Sequence, residues 1–155
     1  MEAKVKWRGK MSFTGSAETG FEVPLGADPA VGGDNDGFRP LELMAISLAG
    51  CTAMDVISIL QKKRQQVKNF EVKVNTDRAE THPKVFTRAV IEYHLSGEDL
   101  SEDAVIRSIE LSATKYCPAQ NMLNQVLPIS MEYFLYDGAE EPELITRGEY
   151  VPAEG

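Results

Sequence analysis

The chain has 155 residues, 16 Lys and Arg against 24 Asp and Glu, a net charge of −8 and two cysteines. A length of this order suits one domain whose core needs no disulfide or metal staple. Residues 137–155 carry six acids and the single Arg147, so −5 of the charge lies in the tail and −3 in residues 1–136; with no Lys/Arg cluster to displace counterions from phosphates, nucleic acid is not an expected partner.

The N-terminus MEAKVKWRGK alternates charged and apolar residues, unlike the apolar run of a signal peptide. Val5, Trp7, Met11 and Phe13 fall on one side of a period-two pattern, which predicts a half-buried strand whose polar face, Lys4, Lys6, Arg8 and Lys10, is basic. Thr19-Gly20 turns this strand back into Phe21–Val23, and PLGADPAVGGDNDGFRP then reads as a long ordered loop. That loop is glycine-rich but lacks the strand-to-helix pattern and Lys of a phosphate loop. From Pro40 to about Arg64 runs the longest helix, with Lys62, Lys63 and Arg64 where cations favour a helix C-terminus. Its first half, LELMAISLAGCTAM, is apolar nearly all round, so the helix must run through an interior or an interface. The charge-free stretch Leu43–Met54 is only 12 residues, short of a bilayer span. The expectation is a cytoplasmic protein with no membrane partner.

Phe70, Val72 and Val74 alternate with polar residues, Val85–Leu95 reads as a further strand, and His82-Pro83 forms the turn between them. Ser101 caps a second helix whose stripe of Val105, Ile106, Ile109 and Ala113 continues to Lys115. Pro118 suits the first position of a short third helix with Cys117 near its N-cap. Ile129–Tyr136 is expected as the last strand of a single domain spanning 1–155, with the acidic residues 137–155 as a docked or loose extension. His82 and His94 read as a turn and a strand residue; two histidines without cysteine-rich spacing give no zinc site, and no metal or other cofactor is expected.

In a reducing compartment a permanent disulfide is not expected, which leaves two cysteines 66 residues apart as buried hydrophobes, as redox-active thiols, or as unrelated residues. Cys117, at a helix start, is placed where free N–H groups favour the thiolate. Cys51 lies mid-helix in apolar surroundings that raise its pKa unless a donor or cation is brought to it. Gly50 beside it costs the helix about 1 kcal/mol relative to Ala, a hint that something approaches closely there. At 1.5 Å per residue Arg39 starts roughly 18 Å and Glu42 roughly 13 Å along the helix from Cys51, so neither reaches it in cis. Two such helices packed antiparallel about residues 46–47 would bring the start of one beside Cys51 of the other, an active site spanning a dimer.

GFRPLELMAISLAGCTAMDVISIL and KYCPAQNML, with the order hairpin, helix, hairpin, helix, strand, resemble the OsmC/Ohr family of thiol-dependent peroxidases over nearly the whole chain. The likeness is to the OsmC-like branch with Pro-x-Glu-Leu before Gly-Cys-Thr and Met-Asp-Val after it. It implies an α+β fold of antiparallel sheets packed around a long buried central helix, and an intertwined homodimer. It also implies that Cys51 attacks the peroxide and Cys117 resolves it, supported by an arginine paired with a glutamate. In characterised peroxidases of the family the glutamate follows the proline directly; here that position is Leu41, and Glu42, one step later, is turned by about 100°. The family's arginine comes from the N-terminal sheet region, which makes Arg8 a candidate, with Arg39 a second one just before Pro40.

The implied function is reduction of small organic hydroperoxides in the response to oxidative stress. Cys51 becomes a sulfenic acid, condenses with Cys117 to a disulfide, and is reset by a small or protein-bound dithiol, without a cofactor. The alternative is a non-catalytic dimeric module in which the apolar helix and Met44, Met54 and Met122 line an interface cleft for a hydrophobic small molecule. A third reading is a structural protein with two inert core cysteines.

Overall fold

The alternation at the N-terminus gives two strands where one was expected. In the computed structural model, which describes residues 1–138 and 143–151, β1 (Ala3–Gly9) reverses into β2 (Ser12–Ala17). Gly9 and Lys10 take φ angles of 119° and 44°, the left-handed backbone that a tight hairpin requires. Trp7 therefore pairs with Phe13 across the hairpin, and Met11 belongs to the turn. A second reversal at Gly20 leads to β3 (Glu22–Leu25), which completes a three-stranded meander. The loop that follows is ordered by Lys10 Nζ on Asp34 at 2.9 Å, Ser12 Oγ on Asp36, and a 3-10 turn at Pro29–Val31 capped by Asp28.

The chain divides into two compact units, Met1–Met44 and Ala45–Gly155, and α1 (Pro40–Lys62) begins in the first and continues in the second. The second unit carries a sheet in the order β4 (Gln66–Arg78), β5 (Phe86–Glu98), β6 (Ile129–Asp137), β7 (Glu143–Tyr150). β4 and β5 form the expected antiparallel hairpin, but β5 and β6 run parallel. Parallel neighbours need a crossover, and here it is α2 (Glu102–Leu111), a π-helical turn at Ser112–Tyr116, and α3 (Pro118–Leu123). Ile129–Tyr136 is not the last strand: part of the acidic tail is docked as β7, antiparallel to β6. Leu144 and Ile145 stay exposed on it, so pairing to β6 rather than an alternating apolar face defines the strand. The rest of the expectation for the tail falls on residues 139–142 and 152–155, outside the described residues.

Alternate residues of β5 and β6 point inward. Ile91, Tyr93, Leu95, Met131 and Leu135 meet Leu48, Val56 and Leu60 of α1 and Val105 and Ile109 of α2 in one core. The buried side of α1 is the stripe Leu48, Thr52, Val56, Leu60, while Met44, Ile46 and Met54 are 44%, 50% and 70% exposed. By length and composition α1, with mean hydropathy 1.9 over an 18-residue window, could cross a membrane, so the shortness of Leu43–Met54 decides nothing. The argument against a span is that one stripe of α1 is packed into a protein core and that its Asp55 is hydrogen-bonded there.

Gly148 of β7 lies tight against this core: a Cβ on it would fall 2.2 Å from the Tyr133 hydroxyl, which donates to Glu102 Oε1 at 2.7 Å. Gly148→Ala must displace the ring or the strand. It is expected to lower the unfolding free energy by about 1–3 kcal/mol, seen as a lower urea midpoint at unchanged slope.

Candidate thiol site

The crossover brings the two cysteines together. Cys51 is half-buried on α1, Cys117 is fully buried, and both are free thiols. Pro118 occupies the first turn of α3 and Cys117 is its N-cap, as the sequence predicts. The Cys117 N–H donates to Ser112 O at 2.9 Å, and its Sγ accepts from the Gln120 N–H at 3.3 Å. The same sulphur is a hydrogen-bonding neighbour of the Cys51 side chain.

The expected activation of Cys117 is overturned. Burial pushes its thiol up, the hydrogen bond to Cys51 pushes it further, the Gln120 N–H opposes, and the charges of Cys51 and Asp55 add to the rise. One N–H at the start of a six-residue helix is too little to offset the desolvation of a fully buried sulphur.

A buried network adjoins this pair. Thr52 Oγ1 lies 2.7 Å from the Tyr93 hydroxyl and 2.9 Å from Ser112 Oγ, and Ser112 Oγ donates to Asp55 Oδ2 at 3.0 Å. Thr52, Tyr93 and Ser112 are completely buried. Asp55 also lines a surface pocket of about 290 Å³ with Ser58, Ile59, Lys62, Leu111 and Tyr116. Sequence reasoning missed the network, although Thr52 interrupting the stripe of Leu48, Val56 and Leu60 was a signal. Gln120, nearly fully buried, donates to Met131 Sδ through its amide at 3.1 Å, and its Oε1 has no partner among the described residues.

The other candidates lie in the N-terminal unit with local partners. Arg8 Nε donates to Thr14 Oγ1 at 2.9 Å. Arg39 donates to Gly37 O at 2.9 Å and to Asn35 Oδ1 at 2.5 Å. Glu42 accepts from the backbone N–H of Arg39 at 2.8 Å, the contact of a third-position glutamate reaching back to its N-cap. Glu42 thereby closes the start of α1, and among the described residues no ion pair joins it to either arginine. His94 bonds Tyr136 at 2.9 Å and Glu92 at 3.1 Å and stacks on Phe134, a strand residue with both ring nitrogens engaged.

Residues 33–132 match the family model described as OsmC-like protein. The chain is 37% identical over 133 residues to protein YhfA of Escherichia coli strain K12, covering 86% of this chain and 96% of that one. A solved structure of a hypothetical protein from Aquifex aeolicus VF5 is 27% identical with a TM-score of 0.77, covering 89% of this chain and 97% of its own. The organic hydroperoxide resistance protein OsmC from Legionella pneumophila, 15% identical with a TM-score of 0.61 over 84% of this chain and 93% of its own, shares the fold. The sequence match over most of the chain and the shared fold agree, and the protein belongs to the OsmC/Ohr family as an OsmC-like member.

Proposed function

We propose that the protein is a thiol-dependent peroxidase that reduces organic hydroperoxides through Cys51 and Cys117. The observation that carries this reading is the fully buried Cys117 thiol beside the half-buried Cys51, both free. Cys51 thiolate attacks the O–O bond and becomes a sulfenic acid, and the alkoxide that leaves takes up the proton that Cys51 gave to solvent on ionising and departs as the alcohol. The Cys117 sulphur then displaces the hydroxyl, which departs with the Cys117 proton as water, and a disulfide remains. A dithiol takes the disulfide back to two thiols and is itself oxidised. No metal or organic group enters these steps.

Arg8, Arg39 and Glu42 remain the candidates for a supporting ion pair. Arg8 is the stronger of the arginines, because only its Nε is engaged among the described residues while two nitrogens of Arg39 are held by its own loop. The exposed Met44, Ile46 and Met54 favour a homodimer, since a second copy would remove this apolar surface from water. Two free thiols suit the cytoplasm.

The test is one equivalent of an alkyl hydroperoxide under native conditions, followed by intact-mass and peptide analysis. The expected product has lost two hydrogens and yields a linked Cys51–Cys117 peptide. Thiols that stay unmodified overturn the reading, and retained binding of a hydrophobic probe in that case points to the non-catalytic module.

A further inference from the structure

The hydroxyl network has a fixed polarity. Ser112 Oγ donates to Asp55 Oδ2, so its one proton is committed there. Ser112 Oγ must then accept from Thr52, and Thr52 from Tyr93, so that every proton in the series points toward Asp55. The two middle members of this chain of bonds, Thr52 and Ser112, adjoin the thiols. Thr52 follows Cys51 directly and Asp55 lies one turn further along the same helix. Ser112 opens the π-helical turn and its carbonyl receives the Cys117 N–H at 2.9 Å. One side chain, Ser112, therefore clamps the turn of α1 that bears Cys51 to the turn that bears Cys117. The clamp lies in a fully buried site where an unmatched hydroxyl is costly.

We propose that Ser112 and Thr52, anchored on the Asp55 carboxylate, are positioning residues that set the register of Cys51 and Cys117 and so the ease with which the pair closes to a disulfide. This rests on the reading of the cysteines as a functional pair. It concerns closure alone and holds whatever oxidant the protein meets.

The test leaves peroxide out. Protein is equilibrated with mixtures of reduced and oxidised dithiothreitol: Cys51 and Cys117 give up two electrons and two protons as their S–S bond forms, and oxidised dithiothreitol takes them and opens to the dithiol. The closed fraction is read by alkylation and mass. Ser112→Ala and Thr52→Val are expected to lower the closing equilibrium constant about tenfold, while Thr52→Ser, which keeps the hydroxyl, stays within about twofold of wild type. Far-UV circular dichroism checks that each variant is folded. Should Ser112→Ala or Thr52→Val fail to fold, Asp55→Asn, changed at the half-buried end of the network, is expected to lower the constant in the same direction. Folded variants that close like wild type overturn the proposal. A wild-type protein that oxidised dithiothreitol cannot close overturns both the proposal and the thiol-pair reading. One that closes but ignores hydroperoxides overturns the peroxidase reading alone.

Discussion

If the proposed cycle is right, Cys51→Ser is expected to lower the rate of hydroperoxide consumption by at least about a thousandfold, because it removes the nucleophile of that cycle and Cys117 cannot replace it. Cys117 is completely buried and its thiol is held protonated by that burial and by its hydrogen bond to Cys51, so it has neither the charge nor the access of an attacking sulphur. Cys117→Ser is expected to behave differently. Its Cys51 still reacts with a first equivalent of peroxide, but no thiol stands by to displace the hydroxyl, and the sulfenic acid persists long enough for a 1,3-dione trap to label it. The pair of variants therefore separates two steps: wild type turns over with a dithiol, Cys51→Ser shows no first step, and Cys117→Ser shows a first step and no closure. Equal loss of the first step in both variants would show that the Cys117 S–H is needed for attack itself. Turnover retained in Cys51→Ser would overturn the assignment of the attacking residue.

The legible parts of this protein were those written in short spans. Pro118 after Cys117, Ser101 before Glu102 and Asp103, and the long proline-free run after Pro40 each place a helix boundary through local sterics or a local hydrogen bond, and each boundary lies where they put it. The hairpin at Gly9 and Lys10 escaped because reversal does not disturb the alternation: Trp7 and Phe13, opposite each other, keep the same parity as residues on one strand. β7 escaped because its exposed Leu144 and Ile145 blur any inward face. The site was half legible for a related reason. A motif can locate Cys51 and Cys117, but how deeply Cys117 is buried depends on the crossover folding over it, and helix-start logic alone gave the wrong direction for its thiol. Tyr93 and Ser112, 41 and 60 residues from Thr52, left only the trace of single polar residues in apolar stripes.

The direction of the Cys117 shift also makes stability depend on pH. In the unfolded chain the thiol ionises near its ordinary value of about 8.5; in the folded chain burial and the Cys51 contact keep the proton bound to a higher pH. Between those two values the native state holds a proton that the unfolded state has lost, so unfolding releases a proton and the unfolding free energy falls as pH rises. The contribution is fully present below about pH 8 and shrinks by up to about 1.4 kcal/mol per pH unit through the window. Reduced wild-type protein is therefore expected to lose about 1–2 kcal/mol between pH 8 and pH 10, measured by urea unfolding with a phosphine reductant present. In Cys117→Ala that fall should be much smaller, whatever the variant's stability at pH 8. Tyr93 is shifted in the same direction by its burial, but an ordinary tyrosine ionises near pH 10. Tyr93→Phe should accordingly leave the fall between pH 8 and pH 10 in place and reduce only the further fall above it. A Cys117→Ala protein that loses as much stability as wild type over the lower window would show that the buried thiol is not what holds the proton.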